Sequence, residues 1–214
     1  MEKGNFKLEI CYIFAAGDFC GNISKNIGDY VIAADAGYNH LERLGISPDM
    51  IVGDFDTIGL VPEHENIKTF PKEKDYTDSE LALLEGIRLG YKKFVICGAL
   101  GGKRLEHTIA NISLAASYAE LGYEITLTDG LYFVSAIHNA SVKFDESNKG
   151  FVSVFPFNGN AEGVDEIGLK YSIRNATLDI SRPTLGVSNE FTTENAVISV
   201  KNGTLIIIWQ NSNN

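Results

Sequence analysis

The chain has 214 residues, 44% of them hydrophobic, which suffices for one large domain or two small ones with a sizeable core. Lys and Arg total 18 against 28 Asp and Glu, and the resulting charge of −10 excludes the broad phosphate-backbone contact of a nucleic-acid binder. The three cysteines, Cys11, Cys20 and Cys97, have no C-x-x-C spacing and cannot all pair, so neither a disulfide framework nor a zinc site is expected.

The chain therefore reads as cytoplasmic. No basic segment leads into an apolar one at the N-terminus, and no apolar run approaches the ~18 residues that cross a bilayer, so no membrane contact is expected. From the N-terminus, apolar runs at Ile10 to Phe14, Tyr30 to Ala34, Met50 to Gly53, Ile67 to Phe70, Phe94 to Cys97 and Glu124 to Thr128 alternate with helical patterns. Such alternation predicts βαβ units and a parallel sheet, the α/β class. Thr77 and Glu80 form a capping box, after which Leu81, Leu84 and Ile87 keep helical spacing until Gly90. A second helix follows Gly102, with a predicted apolar stripe of Leu105, Ile109, Ile112 and Ala116 that leaves His107 and Asn111 on other faces.

After Asp129 the helical period disappears, and short runs rich in Val, Ile, Phe and Thr are divided by turn signals such as Phe157-Asn158-Gly159-Asn160. This half reads as all-β. Asn202-Gly203, between Ala196 to Val200 and Thr204 to Ile208, predicts a hairpin. The division falls at residue 129, giving an α/β domain over 1–129 and a β domain over 130–214.

Five carboxylates fall where strands should end: Asp35, Asp54, Asp56, Asp75 and Asp78. In an open parallel sheet the ligand crevice lies outside the carboxyl ends of the strands, so these acids are expected to converge there. Singly each has a plain structural role, Asp78 complementing a helix dipole and Asp54 or Asp56 shaping a turn. Together they repel unless a cation compensates, and hard oxygen donors of this kind suit Mg²⁺. The Gly-rich turn at Gly98, Gly101 and Gly102 follows a strand and opens a helix, a place for backbone N–H groups to meet phosphate, with Lys103, Arg104 and His107 beside it. It fits neither the dinucleotide fingerprint nor the Walker pattern.

The series D-A-G, G-D-F-D-T, K-D-Y-T-D-S-E-L-A, G-A-L-G-G-K-R-L-E-H-T and G-V-S-N-E-F, in this order, resembles the thiamine pyrophosphokinase family over nearly the whole chain. The resemblance implies a Rossmann-like N-terminal nucleotide domain, a C-terminal β-sandwich that binds thiamine, and a homodimer with shared active sites. It also implies Mg²⁺-dependent transfer of pyrophosphate from ATP to thiamine, with AMP released. Asp54, Asp56, Asp75 and Asp78 fall on the metal and catalytic acids, with His107 as a further catalytic position. The ligand-binding positions fall on Asp35, Lys74, Thr77, Gly101, Lys103, Arg104 and His107, and the thiamine side on Ser188 and Asn189. This chain departs from the family pattern in carrying Glu106 before the histidine, where Asp is usual, and an additional glycine in the turn. A Mg²⁺-dependent phosphohydrolase acting on a nucleotide or phosphate ester, or a non-catalytic nucleotide-binding protein, would use similar residues; AMP release that requires thiamine separates these readings.

Overall fold

A computed structural model describes residues 9–54, 64–71, 73, 75–192 and 194–210. The N-terminal half contains strands β1 (Ile10–Phe14), β2 (Tyr30–Ala34), β3 (Met50–Gly53), β4 (Ile67–Thr69), β5 (Lys93–Cys97) and β6 (Glu124–Thr128), and helices α1 (Tyr38–Leu44), α2 (Asp78–Arg88) and α3 (Leu105–Glu120). These strands are parallel and run in the order β4-β3-β2-β1-β5-β6. The chain thus leaves β1 first towards β2 and later returns on its other side at β5, a reversal that opens a crevice at the carboxyl end of β1.

Both faces of this sheet are covered, which explains why its strands are continuous apolar runs. Cys11, Ile13, Ile32, Ala34 and Val52 point to one side, where Leu81, Ala82 and Leu83 of α2 and Ala115, Ala116 and Ala119 of α3 meet them. Tyr12, Phe14, Val31, Ala33 and Ile51 point to the other, against Leu41 of α1. Three layers follow directly from period-2 alternation in the strands.

The buried faces of two helices differ from their predicted stripes. On α2 the buried residues are Leu81, Ala82, Leu83 and Gly86, while Leu84 and Ile87 are only half-buried, because the bare Gly86 backbone faces the Phe94 ring and lets the helix sit close there. On α3, Leu105 and Ile109 are 69% and 59% exposed, whereas Asn111 is buried beside Ala115, Ala116 and Ala119. The three alanines let α3 approach the sheet closely, and the Asn111 amide donates to the Ala99 carbonyl at 2.8 Å, a buried acceptor that would otherwise be unsatisfied.

The rest of the chain is β7 (Tyr132–His138), β8 (Ser141–Phe144), β9 (Phe151–Ile167), β10 (Ile173–Leu178), β11 (Asn189–Glu190), β12 (Ala196–Ser199) and β13 (Asn202–Gln210). The sheet does not stop at residue 129. Strand β7 pairs antiparallel with β6, and the order continues β7-β13-β9-β12-β8, with β10 and β11 also on β9. Val134, Ala136 and Ile206 belong to the same core as the α/β half, while a separate core gathers Val152, Val164, Leu178, Ile198 and Leu205.

Two turn signals act differently from their prediction. Phe157 to Asn160 lies inside β9, where Asn158 at φ +59° bends one long strand so that its first part pairs with β13 and its last with β10 and β12. Asn202-Gly203 makes no hairpin, because β9 lies between β12 and β13; the two residues form an irregular start of β13, with a register shift against β9 and the Gly203 amide donating to Asn139.

Asn111→Ala should lower unfolding free energy by about 1–3 kcal/mol, because it strands the Ala99 carbonyl in the core. Urea denaturation checks this; an unchanged midpoint would mean that the bond contributes nothing.

Candidate active site

The crevice is laced by backbone. Beyond the strands, Ala15 N donates to Cys97 O at 2.8 Å, Gly17 N to Gly98 O at 2.9 Å, and Gly98 N to Thr128 O at 2.9 Å, so the chains leaving β1, β5 and β6 continue side by side. No side chain fits between them. A Cβ on Gly98 would stand 2.5 Å from the Ala15 carbonyl oxygen, and its φ of +71° is the left-handed region.

On the β5 side, Gly101 is exposed with φ +69°, and Gly102 N donates to the Asp18 carboxylate at 2.9 Å. Lys103 and Arg104 are exposed at the start of α3, and His107 is half-buried in its first turn, with its amide bonded to the Arg104 carbonyl. The Arg104 guanidinium donates to Glu106 at 2.8 Å, and this bond holds the Glu106 carboxyl below its usual range. The pair is exposed, and such pairs exchange readily for a stronger anionic ligand. The N-terminus of α3 has no side-chain cap, which leaves this helix end open to an anion.

On the β2 side, Asp35 directly follows β2 and is 7% exposed, in a left-handed conformation at φ +45° that opens a 3-10 turn over Asp35–Gly37. Asp54 directly follows β3 and is half-buried. The β2 and β3 register sets Ala34 against Val52, so Asp35 and Asp54 emerge from neighbouring strand ends. A Cβ on Gly53 would lie 3.2 Å from the Asp35 Cα, a closeness that the glycine permits.

Asp75 is exposed, and Asp78 is half-buried as the first residue of α2. Since α2 connects the carboxyl end of β4 to the amino end of β5, its N-terminus lies at the same edge of the sheet as the other acids. Thr77 is the N-cap, its side chain accepting from Glu80 N at 3.2 Å, as the capping box predicts. Asp56 and Lys74 lie outside the described residues. Among the described residues no group of three or more His, Cys, Asp or Glu gathers tightly enough to hold a metal.

Ser188 and Asn189 are not at this edge. They lie in the β region, where Asn189 pairs with Val152 of β9; Ser188 is exposed at φ +61°, and Asn189 is buried. A cavity of about 310 Å³ there is lined by Glu166, Tyr171, Ile173, Leu185, Val187 and Asn189, a volume at the lower end for small-molecule sites.

The sequence reading passed over two residues. Asp18 follows the apolar run of β1 and a glycine, as Asp54 follows β3, and that repeated strand-Gly-Asp pattern is the signal that could have found it. Its loop is held by α1, with the His40 ring bonded to Gly17 O at 2.8 Å and Arg43 donating to the Phe19 carbonyl. Glu166 is buried on β9, and nothing in its local pattern distinguishes it from an outward-facing strand acid. Burial disfavours the thiolate at the buried cysteines, pushing Cys97 up and Cys11 to about 12.

A three-layer α/β half with acids and a Gly-rich turn on either side of a topological switch, joined to an all-β half with its own cavity, defines a two-part α/β and β class of protein whose ligand crevice lies at the switch. The thiamin pyrophosphokinase catalytic domain matches residues 24–127 and the thiamin pyrophosphokinase vitamin B1 binding domain matches residues 139–205, about four-fifths of the chain together. The chain belongs to the thiamin pyrophosphokinase family. Among solved structures it is similar to thiamine pyrophosphokinase from Bacillus subtilis, with 24% identity, a TM-score of 0.79, and coverage of 95% of this chain and 99% of that one. A thiamin pyrophosphokinase family protein from Enterococcus faecalis has 26% identity, the same TM-score of 0.79 and the same coverages of 95% and 99%. The yeast enzyme shares the fold at 13% identity, with a TM-score of 0.70 over 98% of this chain and 89% of that one. Comparison with curated proteins gives no match.

Gly98→Ala should destabilise the chain by more than about 1–2 kcal/mol, since it adds a left-handed penalty to a clash with backbone. A thermal melt unchanged from the wild type would show that β1 and β5 can separate at no cost.

Proposed function

We propose that the chain transfers the pyrophosphoryl group of ATP to the hydroxyl of thiamine, yielding thiamine diphosphate and AMP. The observation that carries this reading is the pairing of the Asp35 and Asp54 strand ends with the Gly101–His107 turn on opposite sides of β1, within a family whose second half is a vitamin B1 binding domain. The thiamine hydroxyl oxygen attacks the β-phosphorus and loses its proton to solvent, while the bond from the β-phosphorus to the bridging oxygen breaks and that oxygen leaves on the α-phosphorus of AMP. Such transfer asks the protein for in-line positioning and charge neutralisation rather than covalent chemistry.

Lys103, the α3 amide groups and Arg104, once released from Glu106, are suited to the phosphate oxygens. Asp35, Asp54, Asp75 and Asp78 offer the hard oxygen donors that Mg²⁺ requires, and the nearness of Asp35 to Asp54 favours this fit. When bound there, Mg²⁺ would neutralise phosphate charge. His107 and Thr77 flank the same edge.

The α/β half over 1–129 serves as a Rossmann-like nucleotide domain in this reading, and 130–214 as a thiamine-binding sandwich. The protein acts in the cytoplasm, in keeping with three free thiols among the described residues. No helix among the described residues is long and apolar enough to cross a membrane. We further propose a homodimer with shared sites. Along the path β3-β2-β1-β5-β6-β7-β13-β9, seven steps of about 4.8 Å make on the order of 30 Å measured along the sheet between the strand before Asp54 and the strand beside Ser188, which favours thiamine being brought to ATP by a second copy.

AMP should appear from ATP only when thiamine and Mg²⁺ are both present; release without thiamine would indicate a hydrolase instead. Arg104→Ala should raise KM for ATP about tenfold or more and leave KM for thiamine within about twofold, because a guanidinium pairs with phosphate and not with a cationic ring. Equal rises in both constants would remove Arg104 from the nucleotide side.

Sharing of sites predicts complementation. An Asp54 variant and a Ser188/Asn189 double variant, each inactive alone, should regain about a quarter of wild-type activity when refolded together, since random mixing makes half the dimers mixed and gives each one intact site. Sites contained within one chain would give no recovery.

A further inference from the structure

The inference rests on the reading of Ser188 as a thiamine-side residue and concerns what holds it in place. Asn189, its neighbour, is 6% exposed. Its Nδ2 donates to Glu166 Oε2 at 2.8 Å and to the Tyr171 carbonyl at 3.0 Å, and its Oδ1 accepts from Tyr171 N at 3.0 Å and Glu190 N at 2.9 Å. A carboxamide has two donor hydrogens and two acceptor lone pairs, so all four are spent on protein. Nothing is left for a substrate.

Ser188 is the opposite case. It is exposed, its backbone is left-handed at φ +61°, and its amide donates to Ser153 Oγ at 3.1 Å. A non-glycine residue in that region persists only where the surroundings over-determine it. The over-determination comes from both sides: Ser153 of β9 takes the Ser188 amide, and the Asn189 side chain ties β11 to the Tyr171 loop.

Glu166 is what the Asn189 amide is tied to. The carboxyl group is 3% exposed on β9, lines the cavity beside Ser188, and accepts from Asn189 through one oxygen. No ion pair reaches it among the described residues; the nearby Lys170 pairs with Glu190 at 2.9 Å, and the Asp165 carboxylate accepts from Asn175 N. Burial without a cation raises its carboxyl above the ordinary glutamate range, and the Asn189 bond opposes this in part. A buried carboxyl with that environment is costly to keep, and a hydrophobic residue would fill a strand core at less cost.

We propose that Asn189 is a positioning residue that lines the cavity with its amide already spent on protein, and that Glu166 anchors it, the pair holding Ser188, between the lining residues Val187 and Asn189, in its left-handed conformation to receive thiamine.

Glu166→Ala removes the anchor, while Glu166→Gln keeps a carbonyl that can accept from Asn189 Nδ2. With the full chain, Glu166→Ala should raise KM for thiamine about tenfold or more, with kcat and KM for ATP within about twofold of wild type, and Glu166→Gln should restore KM for thiamine to within about threefold. An unchanged thiamine KM in Glu166→Ala, or equal changes for both substrates, overturns the proposal. A second readout needs no turnover and no alanine variant. The Asn189 side-chain amide, followed by nitrogen-proton NMR from acid to alkaline pH, should titrate with a midpoint above the ordinary glutamate range in the wild type and stay flat in Glu166→Gln. Identical behaviour in the two proteins overturns the anchor, and the control separates Glu166 from Glu190 and Asp165. A wild-type chain that released no AMP with thiamine would sink the pyrophosphokinase reading, and the amide titration would still decide the Glu166 link.

Discussion

Three backbone hydrogen bonds beyond the ends of β1, β5 and β6 carry the rest of the structure. Parallel strands ordinarily diverge where their helices begin, and the crevice at a switch point is open because its two flanking connections depart in opposite directions. Here the chains leaving β1 and β5 remain paired through Ala15, Gly17, Cys97 and Gly98 before parting. The floor of the crevice is therefore main chain, flanked among the described residues by Asp35 and Asp54 on one side and the Gly101–His107 turn on the other. Asp18 ties floor to wall through the Gly102 amide. A Gly-rich turn that would otherwise be a flexible surface loop is thereby fixed against the strand on which the sheet reverses.

Much of this was legible in the residues. Strands buried on both faces are apolar runs ended by abrupt polar residues, and β1, β2, β3 and β6 have the bounds that pattern gives. The positions of Asp35 and Asp54 were legible for the same reason, because each directly follows an apolar strand run. Less legible was which face of a helix turns inward. Leu105 and Ile109 carry more apolar area than Ala115 and Ala119, but α3 packs by closeness rather than by bulk, and closeness depends on the opposing sheet. The β half was legible in class but not in pairing. Asn202-Gly203 has hairpin chemistry, and local chemistry cannot reveal that β9 lies between the strands that flank it.

Asn111 and Asn189 illustrate one physical role at two ends of the molecule. Each lies in or near a motif associated with ligands, is buried, and spends its amide on main chain: Ala99 in one case, Tyr171 and Glu190 in the other. A carboxamide can lock a loop without bringing charge into the core, so it suits the residue behind a site better than an acid or a lysine would. Glu166 breaks that rule by bringing a buried carboxyl, held by the Asn189 amide and by no ion pair among the described residues, beside the second core.

The place of β13 has a consequence for synthesis of the chain. It follows the other described strands in sequence, yet it lies between β7 and β9 and bonds to both along most of its length. Until it arrives, β7 and the first part of β9 have no partner on those sides, and Ile206 is missing from the core beneath α3. The nascent chain must therefore wait with two open strand edges facing one another, a state that invites pairing with a neighbouring copy. Closure joins residues far apart in sequence, and pairings of that kind are the slow ones in folding.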